Sequence, residues 1–163
     1  MIRKLPKKLS LKDYQILIAT WFGSGLLKPA SGTWGTIFSL PFGILMVLYT
    51  NVYILSIVTA IVFYIGYLGA KKFEALGEHD ASSIVADEAV GMWITMIPLF
   101  FLSFSFPFYF VVLIAFALFR FFDVLKPWPI SFFDKKQGAF FVMFDDVLGG
   151  IFAAMVLYLI SFI

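Results

Sequence analysis

The sequence predicts an all-α, multi-pass membrane protein: about five membrane-embedded helices plus an interfacial N-terminal helix, in one domain covering residues 1–163. Three observations point there. Hydrophobic residues make up 62% of the chain and charged residues only 13%, against roughly half and a quarter in soluble domains. The charges fall in three blocks, Arg3 to Lys28, Lys71 to Glu88 and Arg120 to Asp146. Uncharged stretches of 42, 31 and 17 residues follow them, and a bilayer core takes about 20 helical residues to cross.

Each element follows in turn. Residues 14–27 are apolar but carry Gln15, Thr20, Ser24 and two glycines, which suits a helix lying at the headgroups beside the basic N-terminal arm. The stretch 29–70 suits two crossings with a turn at Asn51. Residues 89–119 are interrupted by Ser103, Ser105 and Pro107, so they read as a tight hairpin with arms near 88–103 and 107–122; one long tilted crossing is the alternative. A helix starting near Ala81, capped by Asp80, is expected to lead into the first arm. The stretch 147–163 makes the last crossing, with Asp145 and Asp146 just before it. The hairpin puts all three charged blocks on one side. Lys71, Lys72, Lys126, Lys135 and Lys136 mark that side as cytoplasmic.

Composition also excludes chemistry. A net charge of +2 is too small to steer a polyanion, so no nucleic-acid partner is expected. With no Cys there is no thiolate nucleophile and no Cys metal site. The lone His79 excludes any scheme needing two imidazoles.

Three groups of residues can carry chemistry. Gly32-Thr33-Trp34-Gly35-Thr36, with Gly23 and Gly25 upstream, reads either as a turn with a close helix contact or as an anion cradle at a helix start. The acids Asp80, Asp87, Glu88, Asp123, Asp145 and Asp146 border the apolar stretches. Singly they read as helix caps. Paired, at two separate helix entrances, they imply a cation. All-oxygen ligands without His or Cys select a hard metal such as Mg²⁺ or Mn²⁺. Arg120, Asp123 and Lys126 recur every three residues, roughly along one helical face ended by Pro127 and Pro129. The cations read either as snorkelling side chains or as a phosphate clamp. Glu74 and Glu78 read as surface charges.

In this arrangement the sequence resembles the phosphatidylglycerophosphatase A family, integral-membrane lipid phosphatases of bacterial phosphatidylglycerol synthesis. The resemblance rests on Phe22 to Leu26 with Gly32 to Thr36, His79-Asp80 with Ile84 to Trp93, Phe122 to Ile130, and Asp145 to Gly150, in order across about residues 20–155. Two departures are local. Ser31 stands where many members have Pro, and residues 137–142 hold one Gly where members have more.

The resemblance implies Mg²⁺-dependent hydrolysis of phosphatidylglycerol phosphate to phosphatidylglycerol and inorganic phosphate. It implies Asp80, Asp87, Glu88, Asp123, Asp145 and Asp146 as metal or catalytic carboxylates, with Asp87, Asp146 and Lys126 as the catalytic residues. Gly32, Thr33, Thr36, Arg120 and Lys126 are the expected phosphate-binding residues. The expected setting is a bacterial inner membrane, with the lipid's headgroup at the cytoplasmic rim, its acyl chains between helices, and no obligatory protein partner. A CDP-alcohol phosphotransferase would also gather acids at membrane helices, but no matching run of spaced Asp, Gly and Arg is present. A cation transporter would carry its acids on broken helices at the midplane; here they border the spans.

Overall fold

The computed structural model describes residues 2–77 and 81–162. Among these the fold is helical: α1 Tyr14–Ala19, α2 Ser31–Tyr49, α3 Val52–Glu74, α4 Ala86–Thr95, α5 Phe108–Leu125, α6 Ile130–Asp134 and α7 Ala139–Ile160, with 3₁₀ turns at Ser24–Leu26 and Ile97–Phe100. The helices α2, α3, α5 and α7, of 19, 23, 18 and 22 residues, are long and apolar enough to cross a membrane. The expected turn is where Asn51 stands: its side chain accepts the Ile54 N–H at 3.1 Å and caps α3.

The hairpin 88–122 takes a particular form. Its first arm is helical only to Thr95 and then tightens into the 3₁₀ turn. Pro98 supplies the reason, since it has no N–H to donate and its ring crowds the carbonyl of Ile94. Pro107 caps α5, which returns as a full-length helix. The helix expected near Ala81 does not form; α4 begins at Ala86, with Val85 as its cap and its N–H bonded to the Ala19 carbonyl at 2.8 Å. Asp80, the expected cap, lies outside the described residues.

The core surrounds α4. Eight of its ten residues are buried, and α2, α3, α5 and α7 all pack on it. Helices in lipid gain little hydrophobic drive for association, so close backbone approach matters more. At the α4–α7 crossing this is extreme. A Cβ on Gly150 would strike the Gly91 carbonyl, and one on Gly91 would come within 2.6 Å of the Asp146 carbonyl. Trp93 anchors the opposite side, donating its indole N–H to the Ser39 carbonyl of α2 at 3.0 Å.

The N-terminal helix is short, and it is packed on protein. Ile16 and Ala19 are fully buried against α3. Asp13 caps α1 by accepting the Gln15 N–H at 3.0 Å and is ion-paired with Lys72 of α3. Glu74 is also more than a surface charge: its Oε2 accepts the Ala139 N–H at 3.1 Å, which caps α7.

Two outcomes follow. Gly150→Ala is expected to destabilise the fold by about 1–3 kcal/mol through overpacking, read as a lower Tm in detergent. The Lys72 ammonium holds the Asp13 carboxyl below its usual range, so the pair stabilises above the unfolded Asp value near 4 and loses that contribution as pH falls through the lowered folded value. Asp13→Asn should therefore lower Tm at pH 7, and the gap to the parent should close as pH falls through the lowered folded value.

Candidate active site

The acids were expected at the edges of the spans, but α7 starts earlier than the apolar stretch does. Asp145 and Asp146 lie inside it, as its seventh and eighth residues counted from Ala139. Asp87 and Glu88 occupy the first turn of α4, where the unpaired helix N–H groups favour negative charge. Asp123 sits in the last turn of α5. These three helix segments converge on one cavity of about 340 Å³, lined by Asp87, Glu88, Asp123, Lys126, Asp145 and Asp146.

Within it, Asp87, Glu88 and Asp146 each offer a carboxylate oxygen, and these oxygens all lie within 4.8 Å of one another. Asp87 and Asp146 are buried, at 8% and 4% exposure. The Glu88 Oε2 is buried with no hydrogen-bond partner. Three carboxylates at this spacing, one with an orphaned oxygen, fit a hard divalent cation held by oxygen ligands. Backbone bonds set the pairs, Glu88 N–H to Asp87 Oδ1 at 3.1 Å and Asp146 N–H to Asp145 Oδ1 at 3.0 Å.

The other two described acids of the expected ligand set have cationic partners. Asp123 is ion-paired with Arg120, one turn back on α5. Asp145 is paired with Lys126 at 2.6 Å. Lys126 does not continue the α5 face, because it is the helix C-cap in the left-handed region at φ 43°. From there its ammonium reaches both Asp145 and Asp134. Burial alone would lower its pKa, but the charges and hydrogen bonds of Asp145 and Asp134, with Asp146 nearby, raise it above the ordinary lysine value. Lys126 is a fixed positive charge.

The expected phosphate loop divides. Gly32 lies on the first turn of α2, and a Cβ there would collide with the Glu88 carboxylate and approach Arg120 Nη1 to 3.2 Å. Only glycine lets α2 come this close. Thr36 is buried beneath it; its hydroxyl donates to the Gly32 carbonyl at 2.9 Å and accepts from Arg120 Nη1 at 3.4 Å. Its place is behind Arg120, outside the cavity lining. Thr33 is half-buried, and it, Gly32 and Arg120 also stand outside that lining, which leaves Lys126 as the one expected phosphate-binding residue on the cavity wall. Ser31 and Asp134 are cavity residues absent from the expected set. Ser31 donates to the Ser82 carbonyl at 2.6 Å, tying α2 to the strap before α4. The spacing of eight residues between Lys126 and Asp134, across a double-proline loop, was the available signal for that pair.

A family model described as phosphatidylglycerophosphatase A matches residues 17–161. The chain belongs to that family. It is 44% identical over 158 residues to phosphatidylglycerophosphatase A of Haemophilus influenzae, covering 96% of this chain and 94% of that protein. Its identity to the Escherichia coli K12 protein of the same name is 36% over 160 residues, 94% of this chain and 87% of that one. A Bacteroides thetaiotaomicron protein, provisionally named a phosphatidylinositol-3-phosphatase, is 36% identical over 148 residues, 85% of this chain and 87% of its own. No solved structure matches the chain. Members of the phosphatidylglycerophosphatase A family are phosphatases, and the convergence of carboxylates and cations supplies the charge pattern that such chemistry needs.

Removing the Lys126 ammonium strands the buried Asp145 carboxylate beside three other acids. Lys126→Met should cost about 1–3 kcal/mol, below the range for a fully buried pair because Lys126 is partly exposed. Thermal unfolding without divalent cations measures it.

Proposed function

We propose that the protein hydrolyses the terminal phosphomonoester of phosphatidylglycerol phosphate, with Mg²⁺, leaving phosphatidylglycerol in the membrane and releasing inorganic phosphate. The observation that carries this reading is the meeting of Asp87, Glu88 and Asp146 with one oxygen of Glu88 unpartnered, in a chain of this family. Asp87, Glu88 and Asp146 would hold the ion, with Asp123 and Asp145 able to join from the same cavity. A bound divalent ion supplies Lewis-acid polarisation of the phosphate and charge neutralisation.

The remaining roles belong to side chains. Asp146 or Asp87 takes the proton of the attacking water, in keeping with general-base catalysis by a positioned carboxylate. The new P–O bond forms from that water as the bond to the glycerol oxygen breaks, and the same carboxyl returns its proton to the departing oxygen, so that an alcohol leaves. Lys126 and Arg120 balance the charge on the phosphate oxygens, Arg120 as a fork and Lys126 as a point charge. Because Lys126 holds its proton firmly, its contribution is electrostatic, and it does not protonate the leaving group.

The setting we assign is the bacterial inner membrane with the cavity on the cytoplasmic side. Lys126, Lys135 and Lys136 line the same cavity as the acids, which accords with the positive-inside rule. The acids sit toward one end of α5 and α7, in contrast to the midplane arrangement of transporters. The name of the Bacteroides relative makes phosphatidylinositol 3-phosphate the headgroup to set against phosphatidylglycerol phosphate.

Phosphate release in detergent is the test. The parent should act on phosphatidylglycerol phosphate, lose activity in EDTA and regain it with Mg²⁺. Asp87→Asn, Glu88→Gln and Asp146→Asn should each lower kcat by about 100-fold or more, whereas Glu74→Gln, which keeps an acceptor for Ala139, should retain activity. Unchanged turnover in EDTA and in all three amide variants would overturn the assignment. Preference for phosphatidylinositol 3-phosphate would reassign the headgroup.

A further inference from the structure

The cavity explains how a phosphate is held but not how a lipid whose chains stay in the membrane reaches it. The helices α2 and α5 both flank α4 and scarcely touch each other. Between them lies an apolar cleft of about 320 Å³ lined by Ile37, Leu40, Tyr109, Val112, Leu113 and Phe116. At 100° per residue, Tyr109, Val112, Leu113, Phe116, Arg120 and Asp123 fall within one arc of about 100° on α5. On α2, Gly32, Thr36, Ile37 and Leu40 fall within an arc of about 140°. The faces that line the cleft are thus the faces that carry Arg120, Asp123, Gly32 and Thr36.

The two helices do meet at the head of the cleft. There Arg120 donates to Thr36 at 3.4 Å, and Gly32 abuts Glu88 and Arg120. From Tyr109 to Arg120 is about 16 Å along the helix axis, apolar for its length and cationic at its end. A membrane phospholipid has that profile: acyl chain, then phosphate.

The larger apolar furrow along α7 lacks this continuity. It comprises two adjoining hollows of about 430 and 700 Å³ that share Ile94 and Ile97. Its α7 residues Phe140, Phe144, Val147, Ile151 and Tyr158 centre roughly 130° around the helix from both Asp145 and Asp146. A chain lying there would be on the wrong side of α7.

We infer that the α2–α5 cleft holds an acyl chain of the phospholipid substrate and admits it sideways from the bilayer, with Arg120 meeting the phosphate at the head of the cleft. This rests on the phosphatase reading above and adds the route and the chain-binding residues. The residues that set chain preference are then Ile37, Leu40 and Leu113.

Filling the cleft tests it. Leu113 is 59% exposed, so Leu113→Trp adds bulk without disturbing the core. Its kcat/KM for dioleoyl phosphatidylglycerol phosphate should fall about tenfold or more, the scale set by a hydrophobic pocket. Turnover of the chain-free headgroup, glycerophosphoglycerol phosphate, should stay within about twofold, as should both activities of the furrow variant Ile151→Trp. Equal losses on both substrates, or a chain-specific loss in Ile151→Trp with none in Leu113→Trp, would overturn the cleft.

A second measurement is independent of turnover. Phosphatidic acid bearing a diazirine on its acyl chain should label peptides containing residues 37–40 and 109–116 above those containing residues 151–159, and Leu113→Trp should suppress that labelling. Labelling concentrated on residues 151–159, or spread evenly, would overturn the inference even if phosphate is released. Cleft labelling in a protein that releases no phosphate would overturn the phosphatase reading alone.

Discussion

Three carboxylates from two helices, with oxygens within 4.8 Å of one another, repel strongly where little water screens them. Such an arrangement persists only if the backbone enforces it and opposite charge offsets it. Both conditions are met. The Gly91–Gly150 contact sets how α4 lies on α7, and therefore how far Asp87 and Glu88 stand from Asp146. Lys126 and Arg120 neutralise the neighbouring Asp145 and Asp123. The burial of α4 among four other helices follows from the same demand, since a ten-residue helix needs support on every side to hold two acids in place.

The cations are positioned by local backbone as much as by charge. Lys126 leaves α5 in a left-handed conformation that a lysine rarely adopts, and the two ion pairs it makes offset that cost. Arg120 stays on the helix and is steadied by Asp123 ahead of it and Thr36 across from it. One is therefore anchored to α7 and the α6 segment, the other to α2. Lys126 lines the cavity, whereas Arg120 stands outside that lining, beside Gly32 and Asp123.

Much of this was legible in the residues. Uncharged stretches gave the spans, Asn51 the first turn, and Pro107 the return of the hairpin. The paired acids pointed to carboxylates that converge, and Gly32 to a close approach. The misplaced boundary at α7 has a physical cause: a pair of acids looks like the end of a membrane segment, yet here neighbouring helices bury it, and the Phe- and Met-rich turn from Ala139 to Phe144 extends the helix ahead of it. The helix expected at Ala81 failed because the chain is held there by Val85 bonding to Ala19 and Ser82 accepting from Ser31, contacts some fifty residues or more away in sequence. Periodicity carries no trace of such long-range bonds. The role of Thr36 behind Arg120, and of Glu74 as a cap for α7, were hidden for the same reason.

The order in which the polypeptide emerges during synthesis gives the last helix a particular meaning. Everything up to α6 can be made and inserted while the cluster still lacks Asp145 and Asp146, and while Gly91 has no glycine to cross. Only when α7 docks do its carboxylates, the Lys126 partner and the tight crossing arrive together. A chain stopped short of that point carries Asp87 and Glu88 without their complement, so the cluster is completed in a single late event.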